Sequence, residues 1–271
     1  MIKKITLLVP SSIVLLLIFQ TVSAHDYWLA PSTYAIPKGD ILTARLLVGD
    51  RLSPELSRDL NKERTKSFSL LNADGKFDLL KEFSQGALPI FSRKMNVEGQ
   101  NLISIEREFY RTEMTDNQFS SFLEHENMTD IMALRKKLGH KDIDHKRYAR
   151  SIKSLVKVGA QLEGDLHREL LGHMNEIILL DNPYKLKTGD MIRVQLFDRG
   201  NALAGRTITA FNGEGDEHIS TQKVVTDAKG IASFKMDKKG FWMVRSSHLW
   251  QCTQCENVGW EGYISSYSFS L

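Results

Sequence analysis

Apolar and polar residues alternate with a period of two along much of the chain, in short runs punctuated by Gly, Asp and Asn. Leu42, Ala44 and Leu46 alternate after Gly39-Asp40, and Ile192, Val194 and Leu196 alternate after Gly189-Asp190. This is the pattern of a strand with one buried face. The same reasoning predicts strands over 67–71, 77–83, 101–109, 175–180, 206–211, 221–226, 231–236, 241–246 and 265–271. Asn72-Ala-Asp74-Gly75, Asp227-Ala-Lys-Gly230 and Lys238-Lys-Gly240 read as tight turns, because glycine accepts the positive φ that such turns require. Between 115 and 138 the period changes. Phe119, Phe122 and Leu123, then Ile131, Leu134 and Leu138, recur at spacings of three and four, which predicts helix with Thr115 or Asp116 as its N-cap.

Short strands without intervening helices indicate antiparallel sandwiches and not a βαβ fold. Comparing the chain with itself gives one match: Tyr34-Ala-Ile36-Pro-Lys-Gly39-Asp40 aligns with Tyr184-Lys-Leu186-Lys-Thr-Gly189-Asp190, 150 residues later. In both copies a Gly-Asp turn opens a strand, as at the entry of many sandwich domains. The prediction is a mainly β protein with two antiparallel β-sandwich domains of immunoglobulin-like or carboxypeptidase-regulatory-like type. They would span 25–112 and 154–271, with a charged helical insertion at 113–153 between them.

Composition narrows the class. Of 271 residues, 42% are hydrophobic and 25% charged, with only six prolines, which excludes a disordered or collagenous chain and a polytopic membrane protein. Lys3 and Lys4 form a positive n-region, Leu7 to Phe19 an apolar core and Val22-Ser23-Ala24 a small-residue cleavage site, so 1–24 reads as a removable signal peptide. The apolar stretch is shorter than the roughly 20 residues that span a bilayer. The mature protein is therefore expected free in the periplasm, with no stable membrane insertion. Without Lys3 and Lys4, 34 of the 36 basic residues remain against 33 acidic ones, a balance that argues against a nucleic-acid partner. Residues 106–130 hold seven acids and two bases, and 135–157 nine bases and two acids; the simplest reading pairs these blocks with each other.

Cleavage after Ala24 makes His25 the first residue. Its free α-amine and imidazole Nδ1 can chelate one metal ion, and a second histidine would complete a three-nitrogen set suited to Cu(II) or Ni(II). Asp26 could add an oxygen ligand or orient the site.

Several separated segments carry a family resemblance. They are His25-Asp-Tyr-Trp28-Leu-Ala-Pro31, Arg147-Tyr148-Ala-Arg150-Ser151-Ile-Lys153, Asn182-Pro183-Tyr184 through Asp190, Thr226-Asp227 before Gly230, Gly240-Phe-Trp242-Met-Val244-Arg245-Ser-Ser-His248, and Trp260-Glu261-Gly-Tyr263 to Phe269. Over most of the mature chain these segments resemble the exported NikM-like proteins, which carry a domain of unknown function and are often labelled periplasmic components of cobalt or nickel transport. The resemblance implies β-sandwich architecture, a periplasmic location and a histidine at position 248. This chain departs from the family pattern at Cys252-Thr-Gln-Cys255 and at Gly262, where a small polar residue is usual.

The candidate metal set is therefore His25 with His248, the latter expected at or beyond a strand end where sandwich loops gather sites. Asp26, His173 and His218 are further candidates, although the acidic neighbours of His218 would raise its proton affinity. Cys252 and Cys255, the two cysteines of the chain, permit a redox pair, a thiolate metal site with His248, or a disulfide. A disulfide is simplest in an oxidising compartment. Trp and Tyr cluster near both ends and are expected mostly in the core. No phosphate loop, H-E-x-x-H or G-x-S-x-G is present, so the balance is against an enzyme; a copper monooxygenase-like activity is the one enzymatic reading left.

Two functional expectations follow from these residues. One is a periplasmic protein that binds Cu, Ni or Co and buffers it or delivers it to an inner-membrane or TonB-type transporter. The alternative is a metal-independent β-sandwich module that binds an envelope protein or a glycan.

Overall fold

A computed structural model describes residues 26–50, 52–139, 141–213 and 219–271. The first half contains β1 (Asp26–Pro31), β2 (Ala35–Ile36), β3 (Ile41–Asp50), β4 (Ser53–Arg58), β5 (Thr65–Asn72), β6 (Gly75–Asp78), a single helical turn α1 (Leu79–Glu82), β7 (Phe91–Lys94) and β8 (Gly99–Thr115). Two helices follow, α2 (Asp116–His125) and α3 (Thr129–Leu138). Then come β9 (Ile143–Val158), β10 (Asn175–Leu179), β11 (Met191–Asp198), β12 (Asn201–Ala202) and β13 (Thr207–Asn212). The chain finishes with β14 (Ser220–Val225), β15 (Ile231–Lys235), β16 (Phe241–Gln251) and β17 (Trp260–Ser270). Among the described residues no helix is long and apolar enough to cross a membrane.

Strands from both halves make one nine-stranded central sheet in the order β14-β13-β16-β17-β9-β8-β5-β6, with β2 added to β9. Its neighbours are antiparallel except β17 and β2, which run parallel to β9. A four-stranded sheet, β1-β3-β4 with β7, covers one face, and a second, β10-β11-β12 with β15, covers the other. The fold is mainly β, with two sandwich cores as the alternation predicts. They share the central sheet, and the boundary expected at residue 154 falls inside β9.

Strict alternation on the central strands feeds the two cores. Leu70, Ile103, Ile105, Ile152 and Val156 meet Leu42 and Leu46 in the first core; Leu71, Leu102, Leu155 and Val244 meet Ile192, Val194 and Leu196 in the second. Adjacent residues thus point into different cores, which a two-sided sheet requires and a one-residue slip would destroy. A fully buried leucine such as Leu46 contributes about 2 kcal/mol of transfer free energy.

The internal match is a match of structure. The amide of Gly39 donates to the Met95 carbonyl at 2.7 Å and that of Met95 to the Asp40 carbonyl at 2.9 Å. Gly189, Met236 and Asp190 repeat both bonds at 2.7 and 2.8 Å. Both glycines hold φ near 100°, at 92° and 102°, where a side chain would be strained.

Most predicted strands are present, several of them longer than read. The expected strand over 77–83 is a correction: β6 ends at Asp78, whose side chain accepts from the Leu80 amide and starts α1. The cap outcompetes the apolar alternation there. Thr115 caps α2 in a reciprocal capping box with Gln118, at 3.0 and 3.4 Å. Phe119, Phe122 and Leu123 of α2 pack with Leu249 and Trp260 on the β1–β3 side of the central sheet. Arg135 of α3 is buried, bonding Asp116 at 2.7 Å and also Asp144. That is one pair between the acidic and basic blocks, while Glu106, Glu126, Asp130, Arg147 and Lys153 pair with residues outside both blocks. Gly262 is explained by contact: a Cβ there would lie 2.3 Å from Leu249 Cδ2 and 2.8 Å from the His248 carbonyl.

Candidate functional site

The N-terminal strand β1 crosses the central sheet and is fastened to it. Ser266 Oγ donates to the Tyr27 carbonyl at 2.7 Å and Ser268 Oγ to the Leu29 carbonyl at 2.8 Å. Asp26, only 4% exposed, is ion-paired with Arg245 of β16, and Arg245 also grips Glu126, at 2.5 and 2.9 Å, beyond the end of α2. Burial pushes the Asp26 carboxyl up, opposed by Arg245. Burial also works to raise Glu126, but Arg245 and the neighbouring His125 outweigh it and hold that carboxyl at about 2. One guanidinium thus ties strand, sheet and helix together through two carboxylates, a bidentate use for which Arg is suited.

Beside this clamp opens a cavity of about 350 Å³, walled by Tyr27, Tyr110 and Tyr148 and by Arg58, Arg64, Arg107 and Arg150. Arg107 and Arg150 are direct cross-strand neighbours on β8 and β9, so two like charges share one face. Arg150 is 8% exposed, and its Nη1 is buried with no hydrogen-bond partner. The Arg150 guanidinium lies 4.1 Å from the centroid of the Tyr27 ring and 4.7 Å from that of Tyr148. Burial and then Arg150 act to lower the Arg107 pKa, with Tyr27 opposing. The carboxylates on the wall, Asp59 and Glu108, form no ion pair with these arginines among the described residues; Asp59 instead accepts from Gln85 Nε2 at 2.6 Å. Two residues before Tyr148, Lys146 is buried 3.7 Å from the centroid of the Phe122 ring, and burial together with Arg150 pulls its pKa down to about 7. Positive charge is in surplus here.

On the other face the buried charges are matched. Lys153 is ion-paired with Glu176 and donates to the carbonyls of Glu169 at 2.8 Å and Ile177 at 3.2 Å. Glu176 in turn accepts from the amides of Leu171, Gly172 and His173 at 2.7, 3.1 and 3.2 Å.

A family model described as a domain of unknown function, DUF4198, matches residues 22–249. The chain belongs to that family. No curated protein matches it. Solved structures similar to this DUF4198 chain include the D0-D1 domain of intimin, 11% identical over 89% of this chain and 96% of that one, with a TM-score of 0.22. A tetra-tandem repeat in the extending region of a large adhesion protein is 11% identical over 92% and 49%, also at 0.22. Trypsin-activated alpha-2-macroglobulin from Escherichia coli is 10% identical over 93% and 16%, at 0.19. At such TM-scores these likenesses carry no argument.

Of the residues expected to hold a metal, the described ones, Asp26, His173 and His248, do not converge. His25 and His218 lie outside the described residues. Asp26 is committed to Arg245. His173 is buried, with Nδ1 2.5 Å from Ser151 Oγ and Nε2 3.4 Å from Ser104 Oγ; burial pulls its pKa to about 4. Its two nitrogens are already engaged.

His248 corrects the loop expectation. It lies inside β16, 1% exposed, edge-on to Trp250 at 4.2 Å, with neither ring nitrogen hydrogen-bonded. Three residues from Arg245 on one strand, it points to the opposite face of the sheet from the Asp26 clamp. Burial, then Arg206 and Arg199, lower its pKa to about 3, and the same arginines repel a metal cation. The described histidine joined to the clamp is His125, whose Nδ1 is 3.4 Å from Glu126 Oε1.

Cys252 and Cys255 form a disulfide, which removes the thiolates that a metal site with His248 would need. Trp28, Trp242, Trp260, Tyr263 and Tyr267 are core, as expected. Sequence reasoning missed Arg107, Arg150, Arg245 and Glu126 as site residues. The signal for Arg150 and Arg245 lay in the family segments that contain them.

Proposed function

We propose that this is an exported, non-catalytic binding module that works in the periplasm without a resident metal and takes a glycan unit in the arginine–tyrosine cavity beside β1. The observation that carries the reading is the buried Arg150, whose Nη1 has no hydrogen-bond partner among the described residues, in a cavity lined by three tyrosines beside arginines and two carboxylates. Tyrosine faces suit sugar rings, and a few polar groups in a preformed concavity are the usual makings of a ligand site. The signal-like 1–24 segment and the disulfide support export. The test is calorimetric titration of the mature protein, in EDTA, with soluble hexoses, amino sugars and uronates. Saturable binding that survives His25→Ala and is lost in Tyr27→Ala is expected. No binding of any sugar overturns the reading.

One observation favours a second reading, the NikM-like one, in which Cu(II), Ni(II) or Co(II) is chelated by the terminal amine and imidazole of His25 and passed to a transporter. Asp26, the residue next to His25 in the sequence, is pinned by Arg245, which also holds Glu126 with His125 beside it. Metal titration of a form starting at His25 against one carrying an extra N-terminal residue decides it. A tenfold or greater loss of affinity in the extended form is the result this reading requires, and equal affinity dismisses it.

A further inference from the structure

We infer that the cavity beside β1 is an oxyanion site, and that the group it takes is the carboxylate or phosphate of an acidic sugar held between Arg107 and Arg150. The sugar part of this inference rests on the proposed function; the oxyanion part rests on charge alone. Buried ionised side chains are matched by a counter-charge, because leaving water uncompensated is costly. Three buried cations of the core keep the rule: Lys153 has Glu176, Arg135 has Asp144, and Arg245 has both Asp26 and Glu126. The buried Arg150 and its neighbour Lys146 break it, with the half-buried Arg107 adding a third charge. Arg107 and Arg150 stand side by side in register, and no carboxylate is ion-paired with either among the described residues. Arg150 keeps a buried N–H nitrogen without an acceptor.

No described residue supplies an acceptor for that nitrogen, and the role falls to a ligand. Adjacent guanidinium forks match the oxygen spacing of a carboxylate or phosphate, and arginine is the side chain best shaped for that bidentate contact. Around them the rings of Tyr27 and Tyr148 hold Arg150 from two sides, while Arg64 lies 4.9 Å from the ring centroid of Tyr110 at the rim. The cavity of about 350 Å³ is of monosaccharide size, at the small end of ligand sites. Asp59 and Glu108 on its wall set a limit on the ligand: they repel a second anionic group and can accept from hydroxyls. One acidic group on a hydroxylated ring satisfies both halves of the lining.

The experiment uses the mature protein in EDTA at fixed ionic strength, with inorganic phosphate, glucuronate, glucose 6-phosphate and neutral glucose as probes, read by calorimetry and thermal midpoint. Glucuronate separates a carboxylate source from the two phosphates. At least one acidic probe is expected to bind saturably and raise the midpoint, with glucose at least tenfold weaker. Arg107→Gln and Arg150→Met should each weaken binding tenfold or more, and Arg193→Gln, on an exposed pair with Asp181, should leave it unchanged. Unliganded Arg150→Met should melt no lower than the wild type, since it removes an unpaired buried charge. A merely structural arginine would give the reverse, a lower midpoint with probe binding intact, and that result overturns the inference. Glucose binding as tightly as the acids sinks the oxyanion while leaving the glycan reading standing. Phosphate binding lost in Arg107→Gln, with no sugar bound, does the opposite.

Discussion

The sheet β1-β3-β4 and the sheet β10-β11-β12 enter through the same Gly-Asp turn, close it with the same two backbone bonds and press on opposite faces of one central sheet. What they trap against that sheet differs. Under β10, Lys153 is paired with Glu176, and His173 is bonded to Ser151 and Ser104, so the buried charges there are matched. Under β1, arginines outnumber the acids available to them, and a cavity remains. The same architecture therefore gives a staple on one side and, on the other, a cavity lined by arginines that form no ion pair among the described residues. A satisfied buried network argues for structure, and an unsatisfied one argues for a ligand.

The comparison can be broken most sharply by removing one cation from each face. Lys153→Met strands the Glu176 carboxylate in the core and should cost about 3–5 kcal/mol in chemical denaturation, because half of a buried pair is worse than none. Arg150→Met, by the same measurement, should cost nothing. Equal losses at the two sites would erase the distinction between the faces.

Acid should come next. His173, on the saturated face, and His248 are held at about 4 and about 3, below an ordinary 6.5, so the unfolded chain takes up protons that the native chain refuses. Stability is then full above about pH 7 and falls as the pH drops through 6.5 toward 4, by on the order of 3 kcal/mol for His173 alone. Denaturation midpoints at pH 7.5 and 4.5 should separate accordingly, and His173→Asn should shrink the gap. A midpoint that does not change between these pH values would show that neither ring is buried neutral.

Smaller effects test the margins of both regions. Cys252→Ser with Cys255→Ser should lower stability by about 2 kcal/mol at most, since the closed loop is only four residues long. Thr115→Ala opens the capping box of α2 and should cost about 1 kcal/mol, with the loss of helix visible by circular dichroism. A much larger loss would mean that α2 holds the Glu126 clamp more tightly than its own cap suggests.

The β elements and their turns were legible because period two and the glycines at 39, 75, 189 and 230 are local properties. The helical pair was legible for the same reason, although only the structure decides between Thr115 and Asp116 as its cap, in favour of Thr115. The segment over 77–83 was misread because a single capping side chain, Asp78, outweighed an apolar alternation that spoke for strand. His248 was misread for a different reason: local alternation describes a strand but not its length, and β16 runs on to Gln251. The acidic and basic blocks invited pairing with each other, yet register set Arg107 beside Arg150. The aromatic residues of the core were foreseen and the tyrosines of the cavity were not, because a Tyr in a wall and a Tyr in a core have the same sequence signature.

By itself the chain's pattern determined that it is a β protein with two buried apolar sets and a helical interruption, since each of these follows from spacings of a few residues. Tertiary structure decided the rest. Which strands became neighbours settled that both cores share one sheet, that Asp26 meets Arg245 more than 200 positions away, and that His248 faces the other side. It also settled which charges were left without a partner. Charge compensation depends on distance and burial, and for strands joined across the whole chain neither quantity is written in the local order of residues.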